Sequence, residues 1–206
     1  MLDAVLVVDF GGQYCHLIAR RIRELNVYSE IVPSDISREE IEEINRRLQI
    51  KGMILSGGPY SVYEPEAPKI DLQILNLGIP ILGLCYGHQL IAHLLGGKVM
   101  HGAKQEFGIA YISIDKPDEI LKGLKSIEKV WMSHGDTVQS LPEGFEVLAH
   151  TENCPVAAFR HKERMLYGLQ WHPEVAHTEN GMAVLRNFVF GICGCKAEWN
   201  PSTLID

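Results

Sequence analysis

The sequence lacks the features that would put it in a membrane or outside a cell. No apolar run approaches the ~20 residues that span a bilayer. Met1–Phe10 has no basic start of the kind that opens a secretory signal. Positive charge is also in short supply. There are 19 Lys and Arg against 26 Asp and Glu, a formal net charge of −7, which argues against general affinity for nucleic acid or anionic membranes. Cysteines are few, odd in number and scattered, at 15, 85, 154, 193 and 195, which excludes a disulfide framework. Cys193-Gly194-Cys195 is a tight pair, but no second pair or nearby histidine completes a zinc set, so no metal is expected. A cytoplasmic protein in a reducing compartment is expected, in which any single cysteine can be a nucleophile.

What is present is a buried, alternating α/β pattern. The 206 residues are enough for one domain with a sizeable core, and one domain over 1–206 is expected, with 194–206 a loosely ordered tail. Continuous apolar runs at Ala4–Val8, Gly52–Leu55 and Ile79–Leu84 read as strands covered on both faces. Between them lie helical patterns. Tyr14, Leu17, Ile18, Ile22 and Leu25 recur at helical spacing, with Arg20, Arg21 and Arg23 on a solvated face. Ser37 and Glu40 form a capping box ahead of Ile41, Ile44 and Leu48. Further helices are expected over Ile70–Leu77 and Gln89–Leu95. After Lys98 short strand candidates follow one another at Ile109–Ile114, Val130–Met132, Val147–His150, Val156–Arg160 and Leu166–Gln170, before a last helix over Gly181–Ile192. The expected fold is a three-layer α/β/α sandwich on a mainly parallel open central sheet, with a smaller antiparallel extension.

Two segments carry chemistry. Gly83-Leu84-Cys85-Tyr86-Gly87 lies between a buried strand and a helix, the thiol counterpart of the G-x-S-x-G elbow. A sharp turn there holds the nucleophile in a strained backbone conformation that leaves no room for flanking side chains. It sets the sulfur at a helix N-terminus, whose partial positive charge favours thiolate. In isolation the same pattern is also that of a structural cysteine in a glycine-rich turn. The second segment, His172-Pro173-Glu174, follows the strand Leu166–Trp171. A cysteine nucleophile needs an imidazole to exchange protons with it, and a carboxylate to fix that imidazole. Two residues apart in extended backbone, His172 and Glu174 project to the same side. His134, another candidate base, has no carboxylate at that spacing.

Gly83–Gln89 together with Gln170–Glu174 resembles the class I (triad) glutamine amidotransferases, whose fold is flavodoxin-like. Four more segments, Asp9–Tyr14, Leu55–Tyr63, Trp131–Asp136 and Glu174–Glu179, resemble the GMP synthase branch of that family. Gly12 stands where that branch usually has serine, and His88 where it usually has methionine. The resemblance implies Cys85, His172 and Glu174 as the triad. It implies backbone donors at Gly58 and Tyr86 for the oxyanion, and glutamine-binding roles for Gln89, Ser133, His134 and Asp136. No G-x-x-x-x-G-K-[ST] loop is present. Ser56-Gly57-Gly58 is similar to the start of an ATP-pyrophosphatase loop, but Tyr60 occupies its aspartate position. The resemblance therefore implies a separate ATP-pyrophosphatase subunit, holding ATP and magnesium, that aminates XMP within a heterodimer. Alternatives are an amidotransferase for anthranilate, aminodeoxychorismate or carbamoyl phosphate synthesis, a free-standing γ-glutamyl hydrolase, and a binding module that keeps only the fold.

Overall fold

A computed structural model describes residues 1–203. Its centre is one nine-stranded sheet. The strands are β1 (Asp3–Asp9), β2 (Tyr28–Pro33), β3 (Gln49–Leu55), β4 (Ile81–Leu84), β5 (Lys98–Ile114), β6 (Ile127–Ser140), β7 (Phe145–His150), β8 (Ala158–His161) and β9 (Leu166–Leu169). They lie in the order β2-β1-β3-β4-β9-β8-β7-β5-β6. The first five are mutually parallel. The other four continue the sheet through antiparallel pairings.

Alternation along β1 shows how helices cover both faces. Val5 and Val7 enter one core with Ile18 and Ile22 of α1 (Cys15–Glu24), and with Val184 of α5 (Gly181–Arg186). Leu6 and Val8 enter the other with Ile41 of α2 (Arg38–Ile44), Ile74 of α3 (Leu72–Leu75) and Leu90 of α4 (Tyr86–Leu94). A strand buried on both sides needs apolar residues at every position, which is the uninterrupted run seen in the sequence. The capping box forms as expected: Glu40 N–H donates to Ser37 Oγ at 3.1 Å, and Ser37 N–H donates to Glu40 Oε1 at 3.2 Å.

Several elements differ from the expectation. β2 has no counterpart in the sequence pattern; it is an edge strand, and only Ser29 and Val32 in it are buried. The helix expected over Ile70–Leu77 is a single turn capped by Asp71. α4 starts three residues early, because Cys85 itself is its N-cap. The helix expected over Gly181–Ile192 becomes a π-helical turn from Asn187, whose side chain donates to the Ile120 and Lys122 carbonyls. The antiparallel part is not small: β5 has 17 residues and β6 has 14. Its first stretch, Lys98–Glu106, is mostly polar and exposed and contains a register shift, so the sequence shows no clean alternation there. Part of the expected tail is docked. Lys196 N–H donates to Asp3 Oδ2, and Trp199 packs by Tyr28 and Arg23. Residues 204–206 lie outside the described residues.

Candidate active site

The carboxyl ends of β1, β3, β4 and β9 converge on one edge of the sheet, where open α/β folds bind ligands. Cys85 sits there with φ 53° and ψ −107°, the left-handed side that non-glycine residues avoid. Its N–H donates to Leu169 O and its carbonyl accepts from Gln89 N–H, so β9 and α4 clamp the strained turn from both sides. The flanking glycines are steric necessities. A Cβ on Gly83 would lie 2.4 Å from Gly87 O, and one on Gly87 would lie 2.3 Å from Leu55 O of β3. The Tyr86 N–H is the first amide of α4 and has no carbonyl behind it in the helix.

His172 lines the same cleft as this sulfur, and Glu174 stands behind its ring. His172 Nδ1 lies 3.2 Å from Glu174 Oε2, and both side chains are buried. Burial alone would lower the pKa of the imidazole. The nearby Cys85 sulfur and the Glu174 carboxylate outweigh that and raise it. The ring is further fixed by the edge of Tyr14, with centroids 5.1 Å apart. The main chain of His172 is held on both sides: its N–H donates to Trp131 O, and its carbonyl accepts from Thr178 Oγ1 at 2.6 Å. Arg21 Nε donates to the Glu174 carbonyl at 2.9 Å. Arg21 therefore does more than decorate a solvated face.

The other four cysteines are unpaired and buried. Burial pushes the thiols of Cys15, Cys154 and Cys195 up, to about 11, 12 and 12, and raises Cys193 as well. Such groups stay protonated and are poor nucleophiles.

Two adjoining clefts open beside Cys85. One, of about 330 Å³, is lined by Gly11–Tyr14, Gly57–Pro59, Ser133 and His172. The other, of about 340 Å³, is lined by Tyr60, Ser61, Tyr86, Gln89 and Ser133–Asp136. Both include Gly58 and Cys85, and their size suits a small polar ligand. The Gly57-Gly58 loop is pressed close to its neighbours. A Cβ on Gly57 would lie 3.2 Å from His172 Cε1, one on Gly58 2.4 Å from Phe10 O, and one on Gly12 2.5 Å from Gly57 O. Glycine at position 12 thus fits this packing of the two loops, where a serine would have to shift one of them.

Every site residue singled out in the sequence lines these clefts except Glu174, which is buried behind His172, and some are already engaged. Ser133 O accepts from Cys85 Sγ at 3.4 Å. Gln89 is buried, not a surface glutamine; its Nε2 donates to Asp136 O and Gln170 Oε1. The Asp136 carboxylate accepts from Ser61 Oγ at 2.5 Å and Tyr63 Oη at 2.9 Å. His134 Nδ1 is 2.7 Å from Asp136 O and its Nε2 is 2.8 Å from Glu106 Oε1, so neither ring nitrogen serves Cys85. Burial would raise the Glu106 carboxyl, but hydrogen bonds from His134 and Thr151 lower it. Tyr14, Arg21, Thr178, Tyr63 and Glu106 are supports that the sequence reading missed. Tyr14, Arg21, Tyr63 and Glu106 act through contacts 28 or more residues away in sequence, Thr178 joins the His172 carbonyl, six residues back, to Trp131 N–H, 47 away, and no local pattern marks them.

Known proteins give the same picture. The family model for glutamine amidotransferase class-I matches residues 6–192. GMP synthase [glutamine-hydrolyzing] of Caldicellulosiruptor saccharolyticus is 52% identical over 204 residues, 99% of this chain but 39% of the relative. That of Brachyspira hyodysenteriae is 50% identical over 205 residues, again 39% of the relative. The chain thus spans about two fifths of the length of these curated relatives. A solved protein from Thermoplasma acidophilum, described as a GMP synthase subunit, is 37% identical with a TM-score of 0.82, covering 94% of this chain and 95% of its own. A Thermotoga maritima glutamine amidotransferase shares the fold, with a TM-score of 0.69 at 21% identity. By its matched length and by the sheet that carries its cysteine elbow, the chain belongs to the class I glutamine amidotransferase family.

Proposed function

We propose that this chain is the glutamine-hydrolysing component of a GMP synthase, with Cys85, His172 and Glu174 as its catalytic triad. The observation that carries the proposal is the strained Cys85 turn sharing a cleft with a carboxylate-backed imidazole. The Cys85 thiolate attacks the side-chain amide carbon of glutamine, forming a tetrahedral oxyanion. The N–H groups of Tyr86 and Gly58 receive that charge. The C–N bond breaks as the His172 imidazolium protonates the leaving nitrogen, and ammonia departs. Water then gives a proton to His172, attacks the thioester and releases glutamate and the thiolate. Glu174 holds the ring and stabilises its charged form. Gln89, Ser133, His134 and Asp136 shape the pocket for the amino-acid end of the substrate.

Ammonia is passed to an ATP-pyrophosphatase subunit that binds ATP and magnesium and aminates XMP to GMP in a heterodimer. The GMP synthase names of relatives at about half identity support this reading, as does the description of the Thermoplasma neighbour as one subunit of such an enzyme. The five unpaired thiols support a reducing, cytoplasmic setting. The test is Cys85→Ala in the assembled synthase. Glutamine-dependent GMP formation should fall by about 10⁴-fold or more, while formation from added ammonia persists. Loss of both activities would show that Cys85 is not confined to amide cleavage.

A further inference from the structure

β5 and β6 pair so that Phe107 faces Ser133, Ile109 faces Trp131, Tyr111 faces Lys129 and Ser113 faces Ile127. Directly paired residues share a face of the sheet. The opposite face, with Ile112, Val130 and Met132, is packed into the core. On the outer face Phe107 is 67% exposed, Ile109 50%, Tyr111 61% and Ile127 58%. Single exposed apolar residues are ordinary, but a contiguous strip of large ones marks an interaction surface.

This strip is continuous with the candidate active site. Phe107 at one end lines the second cleft together with Cys85 and Ser133. The strand beneath it also holds the catalytic segments through its main chain. Ser133 O accepts from the cysteine sulfur, Trp131 O accepts from His172 N–H, and Lys129 O accepts from Glu179 N–H. Trp131 packs on His177, centroids 4.6 Å apart. A protein seated on the strip would rim the cleft and bear on the strand that positions both sulfur and imidazole.

We infer that the outer face of the β5–β6 hairpin, from Phe107 to Ile127, docks the ATP-dependent, XMP-aminating component. The inference rests on the GMP synthase reading above and names the surface that the transfer uses. Two further observations favour that occupant. The greater part of each curated relative lies outside the portion this chain matches, and that part must meet this fold somewhere. Ammonia leaves from beside Cys85, so its receiver must cover a surface that reaches the cleft, and this strip does. Its aromatic and aliphatic centre, interrupted only by Lys129, has the composition of an interface core.

The experiment compares wild type with the double variant Ile109→Glu, Tyr111→Glu, neither of which touches the cleft. Each is combined with the ATP-dependent XMP-aminating subunit, with and without ATP and XMP, and binding is followed by sedimentation. The variant should release glutamate at the wild-type basal rate in isolation. It should bind the partner at least about 30-fold more weakly and lose the partner-driven rise in glutamine hydrolysis. GMP formation from added ammonia should be unchanged. Ile127→Lys, at the far end of the strip, should weaken binding in the same direction, which excludes a local folding defect. Variants that bind and are stimulated like wild type overturn the docking surface and leave the GMP synthase reading standing. An isolated wild-type chain that is a dimer, and is made monomeric by the variant, also overturns it, because a second copy then covers the strip. A wild-type chain that supports no GMP formation overturns the underlying reading, and the docking inference with it.

Discussion

The two halves of the sheet divide the labour differently. The parallel half ends in backbone turns, and its contribution to the site is covalent geometry: a cysteine at φ 53° between two glycines that have no space for a Cβ. The antiparallel half places no candidate triad residue. It supplies carbonyls and a buried polar network: Ser133 O to the sulfur, Trp131 O to His172 N–H, and the chain from Asp136 through His134 to Glu106 and Thr151. Reactivity is thus built where the backbone is most constrained, and position is held by long-range hydrogen bonds from strands that carry none of the chemistry.

The sharpest break between the halves should come from His172→Asn. It removes the ring proposed to transfer protons and leaves the antiparallel network intact. Glutamate release should drop by about 10²–10⁴-fold, with little change in glutamine KM or in unfolding midpoint. If KM rises as steeply as kcat falls, His172 holds substrate, and the proposed division is wrong.

The next effect in size belongs to the other half. Glu106→Ala leaves His134 Nε2 and Thr151 Oγ1 without their buried acceptor. Leaving two buried hydrogen-bonding groups without their acceptor should cost about 3 kcal/mol of unfolding free energy in urea. Because Glu106 touches neither the Cys85 sulfur nor the His172 ring, the kinetic signature should be a raised glutamine KM as the Ser133–Asp136 segment loosens, with kcat within a few-fold. A large kcat loss at unchanged KM would instead put Glu106 inside the chemistry.

The contrast between the halves also decides what the sequence could reveal. The parallel half, its edge strand β2 apart, is legible because its core strands carry short, unbroken apolar runs and its turns are marked by glycine. The elbow and His172-Pro173-Glu174 can be read from segments of a few residues each. The capping box at Ser37 is legible for the same reason, since both of its hydrogen bonds lie within four residues. The antiparallel half is larger than its pattern suggests, because polar residues and a register shift hide the alternation of β5, and its role depends on which carbonyls face which donors across 40 or more residues. The same limit applies to Gln89. Its spacing from Cys85 is readable, but not that its amide is tied to Asp136 and Gln170.

The smallest effect tests the seam between the halves. His88 lies on α4, beneath the cysteine turn, yet its Nε2 is 3.0 Å from Val156 O and its ring stacks on Phe159 of β8, both in the antiparallel half. Nδ1 is buried with no hydrogen-bond partner among the described residues. Burial pushes the pKa of this ring down to about 3; the Val156 carbonyl opposes that shift and nearby His134 adds to it. In the unfolded chain the same ring takes up a proton near pH 6.5. Between these values the unfolded state binds the extra proton, so stability rises with pH and is lost as pH falls from about 6.5 toward 3, by about 1 kcal/mol per pH unit. His88→Met fills the same space without a titrating group. Its unfolding free energy in urea should match wild type at pH 7.5 to within about 1 kcal/mol and exceed it at pH 5. Parallel pH profiles for the two proteins would mean that the buried ring is not held neutral and that the seam does not contribute to the acid limb of stability.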